Sequence, residues 1–309
     1  MKTKAALILL ISLFMISITS CKKSDTLFNE SSMETELPTY KVILIPKEEG
    51  SEIVDVLLEN SETGEVKTLI VLSDAVQSHY HNAEYHNGKL FILRKVEKEK
   101  SDFSDDEIGL WIYQEDGNGH QLISTQSLDF RANPSGAVVA VCAGEELIFI
   151  DDEGEVLFSF ELSDINNGNE QMLNASIGLE GWSADSATFW GNLFLAAYKA
   201  AFFRVSVNEG TLKSYDLTGL EPIGWDYGLN KNMGKLVFSD HPVLFDVQSS
   251  DNFKESSKEV TLYLLDLKSM DIRQIAKSSA KAFYPAWIDE ISFTYEDPDG
   301  DGIITYTLH

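Results

Sequence analysis

Basic residues are scarce in this chain. Lysine and arginine total 24 against 50 aspartates and glutamates, for a net charge of −26 at pH 7. Nothing in that balance would offset repulsion from phosphates, so nucleic acid is excluded as a partner and anionic lipid headgroups do not attract the folded body. Cysteine is nearly absent, with two residues, Cys21 and Cys142, in 309. A disulfide framework is therefore excluded, and stability must come from a core. The motifs of several enzyme classes are also missing. There is no G-x-S-x-G elbow, no H-E-x-x-H pair, no P-loop and no dinucleotide fingerprint. Beyond residue 20 no stretch of a dozen residues carries a helical apolar period. Hydrophobic residues still make up 43% of the chain, enough for a sizeable core.

One long apolar run does exist, at the start. Lys2 and Lys4 precede a largely apolar stretch from Ala5 to Ile18, broken only by Ser12 and Ser17, that is short for a membrane span and suits a signal sequence. It ends at Ile18-Thr19-Ser20-Cys21, which resembles a bacterial lipobox. The resemblance implies cleavage before Cys21 and a diacylglycerol on its thiol, with membrane contact through that anchor alone. It also implies a place in the cell envelope outside the cytoplasm. Because Lys22 rather than Asp follows Cys21, the resemblance implies the outer membrane where a cell has two. Residues 1–20 are thus expected to be a signal peptide. Residues 21–38, rich in Ser, Thr, Glu and Asn and closed by Pro38, read as a flexible tether, and 39–309 as the folded domain.

From Tyr40 onward, apolar stretches of five to ten residues alternate with turn clusters. KLFILRKV, IGLWIYQ, AVVAVCA and ELIFIDD are rich in β-branched and aromatic residues, and Asp152-Glu153-Gly154 is a typical separator. The body reads as all-β. Its order repeats, with a short first unit of strands Ile53–Leu58 and Val66–Leu72, four units at about His79–Ser127, Leu128–Ser163, Ile177–Gly219 and Pro222–Ser279, then an incomplete sixth at the C-terminus. Gly181-Trp182-Ser183-Ala184-Asp185-Ser186 and Leu262-Tyr263-Leu264-Leu265-Asp266-Leu267 resemble the turn and hairpin of TolB-like and WD-type β-propellers. Ala184 and Ser186 stand where that turn carries Pro and Gly. The resemblance implies a β-propeller, expected here to have six blades with one degenerate. The strand Tyr40–Ile45 is expected to complete the last blade and close the ring.

In such a fold the starts of the inner strands share a face with the loops between second and third strands. That places Asp129, Arg131, Glu180, Trp182, Trp225, Asp226, Tyr227, Tyr284 and Trp287 around one channel mouth, where aromatics supply area and the charges supply orientation. His79 and His81, two apart on a strand, could ligate one metal with Glu84 or His86, zinc being the natural candidate. Both are equally readable as surface histidines. Asp297, Asp299 and Asp301 form a D-x-D-x-D-G string, which opens a calcium loop or makes a plain acidic turn. Two hydrophilic insertions, Glu97–Glu107 and Gln248–Glu259, fall on the same expected face. The expectation is a monomeric, lipid-anchored propeller that binds an envelope protein or small ligand without catalysis. The alternative is a metal-dependent hydrolase or lactonase-like propeller using His79, His81, Glu180 and Asp226.

Overall fold

The computed structural model describes residues 40–46, 54–72, 83–96, 107–125, 128–195, 198–220, 223–241, 259–279, 281–298, 300 and 302–308. All lie in one unit, Thr39–His309. The signal and tether, Cys21, His79, His81, Asp299, Asp301 and nearly all of both hydrophilic insertions lie outside the described residues.

Among the described residues, twenty-two strands form six antiparallel sheets that follow one another along the chain. The first sheet has three strands, β1 (Tyr40–Pro46), β2 (Val54–Asn60) and β3 (Val66–Leu72). The second has β4 (Ala83–His86), β5 (Lys89–Val96), β6 (Glu107–Gln114) and β7 (Gly119–Thr125). The third has β8 (Asp129–Ala132), β9 (Val138–Ala143), β10 (Glu146–Asp151) and β11 (Val156–Glu161). The fourth comprises β12 (Ser176–Trp182), β13 (Thr188–Leu195), β14 (Tyr198–Ser206) and β15 (Thr211–Asp216). The fifth comprises β16 (Tyr227–Asn230), β17 (Lys235–Ser239), β18 (Glu259–Asp266) and β19 (Asp271–Ser279). The sixth returns to three strands, β20 (Ala286–Trp287), β21 (Ser292–Glu296) and β22 (Ile303–Thr307). The described helical structure amounts to α1 (Leu162–Ile165) and a single 3-10 turn.

The middle strands of the sheets are buried on both faces, while outer strands such as β11, β15 and β22 keep one face exposed. Along β5, Leu90 and Ile92 join a cluster with Val56, Ile70 and Leu72 of the first sheet. Their neighbours Phe91 and Leu93 face the other way, onto Phe130, Val139 and Val141 of the third. The period-two alternation of a strand thus feeds two cores at once, which is why the sequence reads as unbroken apolar runs. The pattern repeats: Leu147 and Phe149 pack on the fourth sheet, while Ile148 and Ile150 pack on the second. Phe238 faces the fourth sheet and Val237 the sixth. Each of the five described core clusters joins two consecutive sheets.

First strands of successive sheets lie side by side, β1 by β4, β4 by β8, β8 by β12, and β16 by β20. This corrects one expectation. Tyr40–Ile45 does not complete the last sheet but pairs over its full length with β2, from Tyr40 opposite Asn60 to Pro46 opposite Val54. Its other side faces β4, where the Tyr40 ring meets Tyr85 edge-on at 5.6 Å. A local hairpin partner costs less loop-closure entropy than one at the far end of the domain, so the adjacent strand wins.

The turns between first and second strands share a device. Asn133 Oδ1 accepts from Ala137 N and Val138 N, Asp185 Oδ1 from Ala187 N, and Asp289 Oδ1 from Ile291 N and Ser292 N. These turns also touch one another: Asn87 donates to Ser135 O, Ala184 N to Asn232 Oδ1, and Asn230 Nδ2 to Glu290 O. They define one end of the domain, the turn end. The opposite, leading end is where the first strands begin.

Candidate functional site

At the leading end, Trp225 immediately precedes Asp226 and β16, and Tyr284 lies two residues before β20. The two residues are 45% and 57% exposed, and their ring centroids are 5.3 Å apart at an angle of 51°. The His241 ring, buried, meets Trp225 at 5.6 Å. Asp226 explains this placement. It is 2% exposed, and its Oδ1 accepts from Tyr284 N at 2.8 Å while Oδ2 accepts from Phe283 N at 2.9 Å and from Ser239 Oγ. One buried carboxylate therefore ties the fifth sheet to the segment leading into the sixth. Its bonds hold Tyr284 at φ +48°, a left-handed backbone that a bulky L-residue resists. The segment before Trp225 is pinned too, by Lys199 N donating to Ile223 O at 2.8 Å.

A second constellation runs along the first strands. Glu84 on β4 lies 3.7 Å from Arg131 Nη1 and 3.4 Å from His86 Nε2, and Glu84 Oε2 also accepts from Ala132 N at 2.8 Å. Glu180 on β12 accepts from Tyr227 OH at 2.6 Å and from Asn192 Nδ2. Burial, then the Glu180 charge, drives the Tyr227 phenol far above its ordinary pKa, so it stays a donor. Lys199 Nζ lies 5.4 Å from the centre of the Tyr227 ring. Lys231, partly buried at the turn end, has its pKa lowered by burial, with Glu180 opposing. Of these charges, Glu84 and Arg131 face each other, while Glu180 is taken up by the neutral donors Tyr227 and Asn192.

Trp182 is a packing residue rather than a wall of the channel mouth. It is buried at the far end of β12, its ring against Phe149 and Phe189, and its Nε1 donates to Arg131 O at 3.0 Å. Trp287 is half-buried and bonds Gly228 O the same way. Cys142 is partly buried beside a cavity of about 470 Å³ lined also by Asp129, Glu145, Asn174 and Ser176. Burial, with the nearby Asp129 charge, pushes its thiol up to about 11. Asp297 heads a turn closed by its N donating to Gly302 O at 2.9 Å. Among the described residues, no group of three His, Cys, Asp or Glu is placed to hold a metal ion.

No protein-family model matches the chain. No curated protein matches it either. Solved structures do. An oligogalacturonate lyase in complex with manganese superposes with a TM-score of 0.50 at 11% identity, over 87% of this chain and 74% of that one. The oligogalacturonate lyase of Vibrio parahaemolyticus gives 0.49 at 10% identity, over 81% and 70%. TolB from Acinetobacter baumannii gives 0.43 at 12% identity, over 87% of this chain and 63% of that one. The fold is that of a β-propeller.

The propeller frame sorts the ring residues read from sequence into three groups. Trp225, Asp226 and Tyr284 come together at the leading end. Arg131 and Glu180 lie along the first strands, each joined to a neighbouring sheet. Trp182 is withdrawn into the core. Sequence reasoning missed Asn192, Lys199, Lys231 and His241. His241 carried a usable signal, because it lies two residues past the end of a strand, β17, whose end must lie beside the start of its neighbour. Asn192 and Lys199 approach Glu180 from separate strands and Lys231 from the turn after β16, placements that no local pattern encodes.

Proposed function

We propose that this chain is a cell-envelope propeller, held by a lipid on Cys21, that binds a partner at its leading end without catalysis. The six sheets are its blades, the first and last with three strands. The observation that carries this reading is the Trp225–Tyr284 pair, two large rings kept in solvent by a buried carboxylate that fixes the backbone of one of them. Singly exposed aromatics need no explanation, but an adjacent pair held against backbone preference does. Nothing comparable favours the hydrolase alternative, which needs Asp226 to face the channel; its carboxylate is inward and occupied.

The test is site-specific photocrosslinking in bacterial envelopes. A benzophenone amino acid would replace Tyr284, or Glu153, an exposed turn-end residue. Adducts from position 284 alone are the expected result. Equal adducts from both positions, or none from 284, would overturn the reading. In the same cells Cys21→Ala should move the protein from the membrane to the soluble fraction.

A further inference from the structure

The chemistry of the leading-end pair is specific enough to name a ligand class. We propose that Trp225 and Tyr284 bind the flat face of a neutral pyranose ring, as part of a polysaccharide or glycan; this rests on the binding reading above.

Geometry comes first. Rings with centroids 5.3 Å apart leave no slot for a ligand between them, so they present one continuous bent surface. Such a surface suits a ligand that lies across it. His241 backs the indole from the buried side, and Asp226 fixes Tyr284 through the backbone. The platform is therefore built before any ligand arrives, which lowers the ordering cost of binding. A glycine at 284 would satisfy the left-handed backbone without strain. The ring kept there in its place is the cost that calls for a use.

Polarity narrows the choice. Among the described residues, neither the Trp225 indole N–H nor the Tyr284 hydroxyl has a hydrogen-bond partner. Apolar faces edged by free donors match the C–H face of a pyranose ring with its rim of hydroxyls. A cationic ligand would want a free carboxylate beside the rings, and among the described residues the one bonded to this pair, Asp226, spends both oxygens inward. Anionic saccharides and nucleotides meet a protein of net charge −26. Neutral sugar is what remains.

Trp225 is the exposed member of five tryptophans, so red-edge excitation reports on this site. The full chain, held in a polyoxyethylene detergent whose headgroup carries no sugar, would be titrated with cellohexaose, maltohexaose, mannohexaose and N,N′-acetylated chitohexaose. Hexagalacturonate and hexa-arginine serve as charged controls. At least one neutral hexasaccharide should shift the emission to the blue and saturate. Trp225→Ala and Tyr284→Gly, the latter with an unlowered melting temperature, should each weaken that binding about tenfold or more, as loss of one stacking contact does. The inference is overturned if no neutral hexasaccharide binds, if only a charged control does, or if binding survives Trp225→Ala. Crosslinks from position 284 with no sugar binding would leave the binding reading standing and remove this one. Silence in both would remove both.

Discussion

Individual residues in this propeller are chosen by the backbone as much as by their neighbours, and Ser186 shows how. It closes the turn between β12 and β13 at φ +60°, while Gly136 and Gly234 hold the equivalent turns at +68°. Relief of left-handed strain is about 1–2 kcal/mol, and the extra freedom of glycine in the unfolded chain gives back about 0.5–1 kcal/mol. Ser186→Gly is therefore expected to stabilise by roughly 0.5 kcal/mol, a rise in Tm of about 1–2 °C by calorimetry. Ser186→Val should lower it, and a fall on going to Gly would show that the hydroxyl matters more than the backbone. Cys142 illustrates the opposite control, in which surroundings set chemistry. A thiol raised to about 11 carries roughly 100-fold less thiolate at pH 8 than one of ordinary pKa. Iodoacetamide should modify native Cys142 slowly at pH 8, faster as the pH climbs toward 11, and at the ordinary rate in urea. Fast native alkylation at pH 8 would mean the thiol is not held up by burial.

At the scale of elements, the unit of stability is the strand that serves two cores. Phe149 on β10 is fully buried, and its ring meets Phe158 at 4.8 Å, Phe189 at 5.5 Å and Trp182 at 6.0 Å. Phe149→Ala leaves a cavity walled by other aromatics on fixed strands, and is expected to cost about 3–5 kcal/mol in urea unfolding. Leu157→Ala on the neighbouring β11, 46% exposed, should change stability by less than about 0.5 kcal/mol. Similar losses at both sites would mean that the sheets do not interlock as described. The same property made these elements legible: runs such as KLFILRKV had to be strands buried on both sides, and the unit boundaries read from turn clusters fall between the observed sheets except at Ile177, one residue inside β12. The turn resemblance was legible at Trp182–Ser186, and Asn133-Pro134-Ser135-Gly136 carries the same turn with its Pro and Gly in place, unrecognised because no tryptophan precedes it. Contacts between blades, such as Glu84 with Arg131 and Glu180 with Tyr227, were beyond reach, because they depend on how far each short first strand slides past its neighbour.

For the whole molecule, the question is how the first and last sheets are finished. Among the described residues both have three strands, and β1, expected to join the last sheet, belongs to the first. In this arrangement β1 covers β4, and the first-sheet core of Val56, Ile70 and Leu72 reaches Leu90 and Ile92 beneath Val42 and Leu44. Deleting residues 1–46 should therefore strip cover from one local region rather than open the molecule at the far end. Hydrogen exchange on the shortened chain should show faster exchange in β2, β4 and β5, with β20 to β22 unchanged. Local opening of this kind stays with the strands that β1 had covered, because protection is set by the unit that must unfold to expose each amide. Faster exchange in β21 and β22, with β4 protected, would instead place β1 beside the last sheet and restore the strand exchange that the present pairing replaces. The leading-end platform draws on the fifth and sixth sheets, with Lys199 of the fourth pinning Ile223, and its described contacts do not involve β1, so the shortened chain should also keep the environment of Trp225, read as unchanged red-edge emission.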